Sequence, residues 1–148
     1  MKLNFAALKE VNKIICCDNN QKRLARIKLK YPTVETVNDF DQLLKNHQFD
    51  ALIIATPVGS HYKFAKAALN AGKHVWVEKP FTGSSKNAED LINLSEKKKL
   101  KLFVDHTFIY TGAVRKIKEL VDKGELGDVI YFDSVRINLG LFQHDVNV

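Results

Sequence analysis

The sequence predicts an α/β protein built on a doubly wound parallel sheet, and three observations predict it. Short apolar runs alternate with amphipathic stretches of helical length along most of the chain, which is the order of βαβ units. The run Ala51-Leu52-Ile53-Ile54-Ala55 is continuous rather than alternating, as expected of a parallel strand buried on both faces. Polar residues follow the runs directly, at Asp18, Thr56, Glu78 and Asp105, and ligands of open α/β sheets bind beyond the carboxyl ends of the strands.

The elements follow in order. Ile14-Ile15-Cys16-Cys17 reads as a buried strand. A helix over 20–30 is stopped by Tyr31-Pro32, because the residue before proline is driven out of the helical region. Residues 33–36 form a short strand. Asp39 caps a helix through residue 46, with Phe40, Leu43 and Leu44 on its inner face. After the strand at 51–55, Ser60 can cap a helix that ends at Gly72, a residue suited to the left-handed turn past a helix. Val75-Trp76-Val77 is the next strand. Ser84 or Ser85 starts a helix with Ala88, Leu91, Ile92 and Ser95 turned inward. Residues 100–104 form a strand, and Thr111 caps a helix carrying Val114, Ile117, Leu120 and Val121, closed by Gly124. Residues 128–138 read as a long strand with no returning helix after it, hence as the opening strand of a second, α+β domain. The expected organisation is a sheet domain over 1–110, a connecting helix over 111–127, and the start of a C-terminal domain over 128–148.

Composition excludes several classes. The chain has 148 residues, 45% hydrophobic and 27% charged, an ordinary globular mix. No apolar run approaches ~20 residues, so no membrane-spanning helix is expected. The N-terminus lacks the apolar stretch of a signal peptide, which gives a soluble, cytoplasmic reading. The net charge of +6 comes from 23 basic and 17 acidic residues spread along the chain. The one dense run, Lys97-Lys98-Lys99 with Lys101, falls at a predicted helix end, where cations suit the helix dipole. No basic stripe with interleaved aromatics points to nucleic acid. Cys16 and Cys17 are adjacent and have no second pair, so two reduced, buried thiols are expected. His144-Asp145 has no partner cluster for a metal, and His47 and His74 read as loop residues.

The first glycine in the chain is Gly59. A dinucleotide-binding sheet normally opens with a strand, a G-x-G-x-x-G turn and a helix. Here the chain instead opens on a helical stretch, 3–10. In the usual strand order, 3-2-1-4-5-6, the first strand is central. Without it the strands at Ile14 and Leu52 lose their shared neighbour and present free edges. The chain is therefore expected to be truncated at both ends; a rearranged sheet that closes the gap is the alternative.

The strand ends supply the candidate site. A carboxylate at Asp18 can accept from a ribose 2′-hydroxyl and repel a 2′-phosphate, favouring NAD over NADP. It can equally cap the helix near Asn20, and Lys22 and Arg23 soften the exclusion of NADP. Ala55-Thr56-Pro57 ends its strand before a helix start whose free N–H groups suit phosphate; His61 and Tyr62 lie in that helix's first turn, Tyr62 as a packing residue. Glu78-Lys79-Pro80 places a charged pair at a strand end, where Pro80 extends Lys79 toward the crevice; a partly buried lysine there suits acid–base work, and a surface salt bridge is the alternative. Asp105-His106 ends the next strand at the same rim.

Together these motifs resemble the Gfo/Idh/MocA family of NAD(P)-dependent oxidoreductases. The matching pieces are Ala55-Thr56-Pro57 with Ser60-His61-Tyr62, Ala71-Gly72-Lys73-His74-Val75, Glu78-Lys79-Pro80, and Gly124-Glu125-Leu126-Gly127. Their order and spacing are specific, and the resemblance covers nearly the whole chain. The stretches Asp105-His106-Thr107-Phe108-Ile109-Tyr110 and Arg136-Ile137-Asn138-Leu139-Gly140 look like the branch acting on nucleotide sugars, which includes UDP-N-acetylglucosamine-type 3-dehydrogenases.

The resemblance implies a Rossmann-type sheet and an oxidoreductase using NAD, with NADP not excluded, on a sugar or nucleotide-sugar hydroxyl. It implies that Asp18 holds the adenosine ribose, that Ala55, Thr56, Pro57, His61 and Pro80 line the cofactor, and that Glu78 contacts the nicotinamide ribose. Lys79 would sit beside the nicotinamide and the reacting carbinol, stabilising the developing alkoxide and helping to remove its proton. His106 would line the substrate side. Arg136 would reach a substrate phosphate or stand as an exposed strand residue. The full-length family is homo-oligomeric. Two departures stand out: the glycine-rich loop is absent, and the chain stops before the family's D-x-x-x-H element. The 148-residue chain alone is therefore expected to be a poor enzyme or inactive. The alternatives are a non-catalytic binding or interaction module derived from a dehydrogenase, and a free-sugar or inositol dehydrogenase.

Overall fold

The computed structural model describes residues 4–135. After a 3-10 turn at Asn4–Ala7 the order is β1 (Ile15–Cys17), α1 (Gln21–Lys30), β2 (Glu35–Val37), α2 (Phe40–Asn46), β3 (Ala51–Ile54), α3 (His61–Asn70), β4 (His74–Val77), α4 (Ser85–Lys97), β5 (Leu102–Val104) and α5 (Gly112–Asp122). Further 3-10 turns lie at Val58–Ser60 and Thr107–Tyr110. All strand pairs are parallel.

Local chemistry sets the helix starts. The Asn20 side chain accepts from the N–H groups of Lys22 and Arg23 at 3.0 and 3.2 Å. Asp39 accepts from Gln42 N–H at 2.7 Å, and Ser84 from Asn87 N–H at 3.3 Å. Each side chain satisfies N–H groups that a helix start leaves open. Ser60 and Thr111 precede α3 and α5 without capping them: the Ser60 hydroxyl donates to the Pro57 carbonyl at 2.7 Å, and Thr111 donates to Phe108 O at 2.8 Å. Gly72, at φ +75°, makes the left-handed turn between α3 and β4.

The parallel sheet is split. β1 pairs with β2, and β3-β4-β5 form a separate three-stranded sheet. Among the described residues no ladder joins β1 to β3, so the gap expected between the strands at Ile14 and Leu52 is present and no rearranged sheet closes it. One face of the larger sheet holds the core. Ile54, Val75 and Val77 pack there against Ala65, Ala68 and Leu69 of α3 and Leu91 of α4, all at 2% exposure or less. Ala65 and Ala68 present only methyl groups, so α3 lies close on the strands.

β3 is not buried on both faces. Ala51 and Ile53 are exposed, because side chains alternate across a strand and the second face of this sheet has thin cover. Its row is Ile53, Trp76 and Phe103, which are register partners. Phe5 meets Trp76 edge-on at 5.4 Å, and Tyr110 stacks on Phe103 at 6.1 Å.

Other expectations also change. The opening 3–10 stretch is a single 3-10 turn with loop after it. Ile92 is exposed on α4, whereas Leu91 and Ser95 are buried. Cys16 and Cys17 are free but only half-buried; burial, and next to it the Asp18 carboxylate for Cys16 and the Cys16 thiol for Cys17, push both thiols up, away from reactive thiolate. His74 opens β4 and its Nδ1 accepts from Lys101 N–H at 2.9 Å, so it is no loop residue. His47 lies in the loop directly after α2, as expected, with Nδ1 2.8 Å from Glu35. Residues 128–135 form no strand and are exposed, and no strand among the described residues offers them a ladder. The rest of that expected strand lies outside the described residues.

Tyr62 does more than pack. Its hydroxyl donates to Asp90 at 2.8 Å and accepts from Lys66 at 2.7 Å, and Lys66 lies 2.9 Å from Asp90. The Lys66 ammonium, then the Tyr62 hydroxyl, hold the Asp90 carboxyl below its ordinary range; the Tyr62 hydroxyl, then Asp90, raise Lys66. Asp90 has the lower pKa in the folded state, so its stabilisation is present at neutral pH and fades as pH falls below about 4. Lys66 is raised, so its share is likewise present at neutral pH and fades only in strong alkali. Asp90→Asn is expected to flatten the acid limb of a thermal-melting profile, with little change in alkali. An unchanged acid limb would contradict this role.

Candidate functional site

The ladders run one residue past the strands. Asp18 N–H donates to Val37 O at 3.2 Å, Glu78 N–H to Ile54 O at 2.9 Å, and Asp105 N–H to Val77 O at 2.9 Å. Because Ile54 pairs with Val77 and Val77 with Val104, the next residues, Ala55, Glu78 and Asp105, stand side by side on the carboxyl rim. Three loops leave that rim together: Ala55-Thr56-Pro57, Glu78-Lys79-Pro80 and Asp105-His106. In a parallel sheet this is the end at which ligands bind.

Asp18 lies at the same end of the smaller sheet. Its Oδ1 accepts from Asn20 N–H at 2.8 Å and its Oδ2 is 3.6 Å from Arg23. Asn20, not Asp18, caps α1. The half-buried carboxylate thus retains acceptor capacity for a diol. Beside it, between α1 and β2, an open hollow of about 360 Å³ is lined by Gln21, Thr36, Val37 and Asn38 among others. Little in the local sequence marks this hollow; the polar Asn38 directly after β2 is the available signal.

Around the larger sheet's rim, Thr56, Pro57, Lys79, Pro80 and His106 are exposed, and Glu78 and Asp105 half-buried. Lys79 is thus more open than expected, an accessible ammonium rather than a partly buried one. The Lys79–Pro80 peptide is cis, a feature that sequence alone does not reveal. The Thr56 hydroxyl lies 2.6 Å from that of Ser60. His61 is placed differently: it is 1% exposed, with Nδ1 2.9 Å from Pro80 O and Nε2 2.7 Å from Thr56 O. Both ring nitrogens are occupied by backbone, so His61 sits behind the rim. Arg136 lies outside the described residues. No three His, Cys, Asp or Glu side chains gather into a metal site among the described residues.

A family model described as the oxidoreductase family with an NAD-binding Rossmann fold, Gfo/Idh/MocA, matches residues 4–106. The chain belongs to this family. The oxidoreductase YdgJ of Escherichia coli is 38% identical over 109 residues, covering 74% of this chain and 32% of its own length. The scyllo-inositol 2-dehydrogenase (NADP(+)) IolW of Bacillus subtilis is 31% identical over 107 residues, covering 72% and 30%. Among solved structures, the apo scyllo-inositol dehydrogenase of Lactobacillus casei superposes with a TM-score of 0.70 at 29% identity, covering 78% of this chain and 34% of that one. The WlbA dehydrogenase of Bordetella pertussis, solved with NADH and UDP-GlcNAcA, gives 0.73 at 24% identity over 77% and 33%, a likeness of fold. The chain spans about a third of the length of these relatives. The Rossmann-type α/β fold read from the sequence is therefore the fold of the family, which is described as NAD-binding, with an NADP(+)-named member among the relatives. No helix among the described residues is long and apolar enough to cross a membrane.

Proposed function

We propose that this chain is the dinucleotide-binding part of an oxidoreductase that transfers hydride between a sugar-type hydroxyl and a nicotinamide cofactor. The observation that carries this reading is the register at Ile54, Val77 and Val104, which brings the Thr56, Lys79 and His106 loops to one rim. The residues fit the cofactor in part. Asp18 offers a carboxylate for a ribose diol, Thr56 an exposed hydroxyl, and Glu78 a further acceptor. Within residues 1–148 the first glycine is Gly59, so these residues supply no glycine-rich turn for the pyrophosphate.

When bound, the nicotinamide supplies the hydride acceptor. Lys79, as an ammonium, would then donate to the substrate oxygen and steady the alkoxide that develops as the hydroxyl proton leaves to water. His106 lines the substrate side. A relative named for scyllo-inositol supports a polyol or sugar substrate; the 105–110 motif favours the nucleotide-sugar branch. The split sheet favours one second reading, a binding module without turnover, and with the missing turn it predicts that the 148-residue chain alone is impaired. Incubated with NAD and a panel of nucleotide sugars and inositols, the chain is expected to form no NADH above background; normal turnover would contradict the predicted impairment.

Asp18 gives a sharper test of the cofactor reading. A charge-assisted hydrogen bond contributes about 1.5–3 kcal/mol, so Asp18→Ala is expected to weaken NADH binding by roughly 10- to 100-fold while weakening NADPH less, since the repulsion of a 2′-phosphate goes too. Equal losses for both dinucleotides in a titration would contradict the assignment.

A further inference from the structure

His61 is the most deeply buried polar side chain described, at 1% exposure, and no role at the rim accounts for it. Its two ring nitrogens face two carbonyl oxygens, Pro80 O at 2.9 Å and Thr56 O at 2.7 Å. A carbonyl oxygen only accepts, and a neutral imidazole has a single N–H. A neutral ring would therefore set a lone pair against one of these oxygens at hydrogen-bond distance. Both contacts are hydrogen bonds only if the ring has a proton on each nitrogen.

Burying that charge is costly, and His61 is also the first residue of α3, the end of a helix that disfavours a cation. Charge-assisted bonds to two carbonyl dipoles supply the compensation. The two carbonyls belong to different loops: Thr56 follows β3 and Pro80 follows β4, and the last ladder bond between those strands is Glu78 N–H to Ile54 O. Past that bond, the imidazole is what joins them.

We propose that His61 is a positioning residue that donates from both ring nitrogens, staples the Thr56 carbonyl to the Pro80 carbonyl, and so fixes the separation of Thr56 and Lys79 on the rim. That this separation serves a dinucleotide rests on the reading above; the staple itself does not.

The experiment is histidine-ring nitrogen NMR on the ¹⁵N-labelled chain at neutral pH. The expected result is two protonated ring nitrogens for His61, with both N–H protons slow to exchange. One protonated and one bare nitrogen would overturn the proposal, and this measurement needs no variant. His61→Phe keeps a flat ring and removes both donors. It is expected to speed amide exchange by about tenfold or more in the loops at 56–60 and 78–81 while leaving β4 and α4 unchanged; unchanged loops in a folded variant would also overturn it. An NADH titration of the same sample separates the two readings. A protonated His61 without NADH binding fails the dinucleotide reading alone, and a bare nitrogen fails the staple whatever binds.

Discussion

Leu69→Ala is expected to remove about 2–5 kcal/mol of stability, the usual cost of emptying a buried leucine site. Leu69 is fully buried on α3, between the helix and the strand face of Ile54, Val75 and Val77. Natural domains have only about 5–15 kcal/mol in total, and this one has its sheet in two pieces. The variant should show a markedly lower urea midpoint and lose cooperativity at the warm end of its range. Leu29→Ala is the control: Leu29 is 84% exposed, and surface changes of this kind stay within about 0.5 kcal/mol. Similar losses at the two sites would contradict the placement of the core.

The second large effect concerns the free edges. Among the described residues β1 is bonded only to β2, and β3 only to β4. Both are parallel to their partners, so one further parallel strand could pair with each. Fusing a strand, a G-x-G-x-x-G turn and a helix ahead of residue 1 is expected to join the sheets. Amides in β1 and β3 should then exchange more slowly by at least about tenfold, equivalent to about 1.4 kcal/mol of local stability, and NADH should bind more tightly. A folded fusion whose β1 and β3 amides exchange as before would show that the two edges do not flank one strand position.

The element order and the strand-end residues were legible in the sequence because periodicity, caps and stops are local. Asp39 and Ser84 cap where their short polar side chains predict, Asn20 takes the cap for which Asp18 was the candidate, and Gly72 turns the chain where a left-handed residue is needed. What was not legible depends on partners. Ile53 and Ile92 are as apolar as Ile54 and Leu91, yet they face outward, because an apolar run does not say whether another element will cover it. The same holds for Val129-Ile130-Tyr131-Phe132, strand-like in composition and exposed, with no strand beside it among the described residues. His61 shows the limit for the site. Its place after Ala55-Thr56-Pro57 pointed to the cofactor's surroundings, but only the three-dimensional path brings Pro80, nineteen residues on, to its other ring nitrogen.

Dinucleotide binding at the rim is read most directly from an amide chemical-shift map of the ¹⁵N-labelled chain during an NADH titration carried to millimolar concentration, which registers weak binding as well as tight. Shifts are expected to concentrate at the carboxyl rim, at Asp18, Thr56, Ser60, Glu78, Lys79 and His106. An absence of shifts there, or shifts gathered instead on the Lys97–Lys101 surface at the opposite end of β5, would contradict binding at the rim.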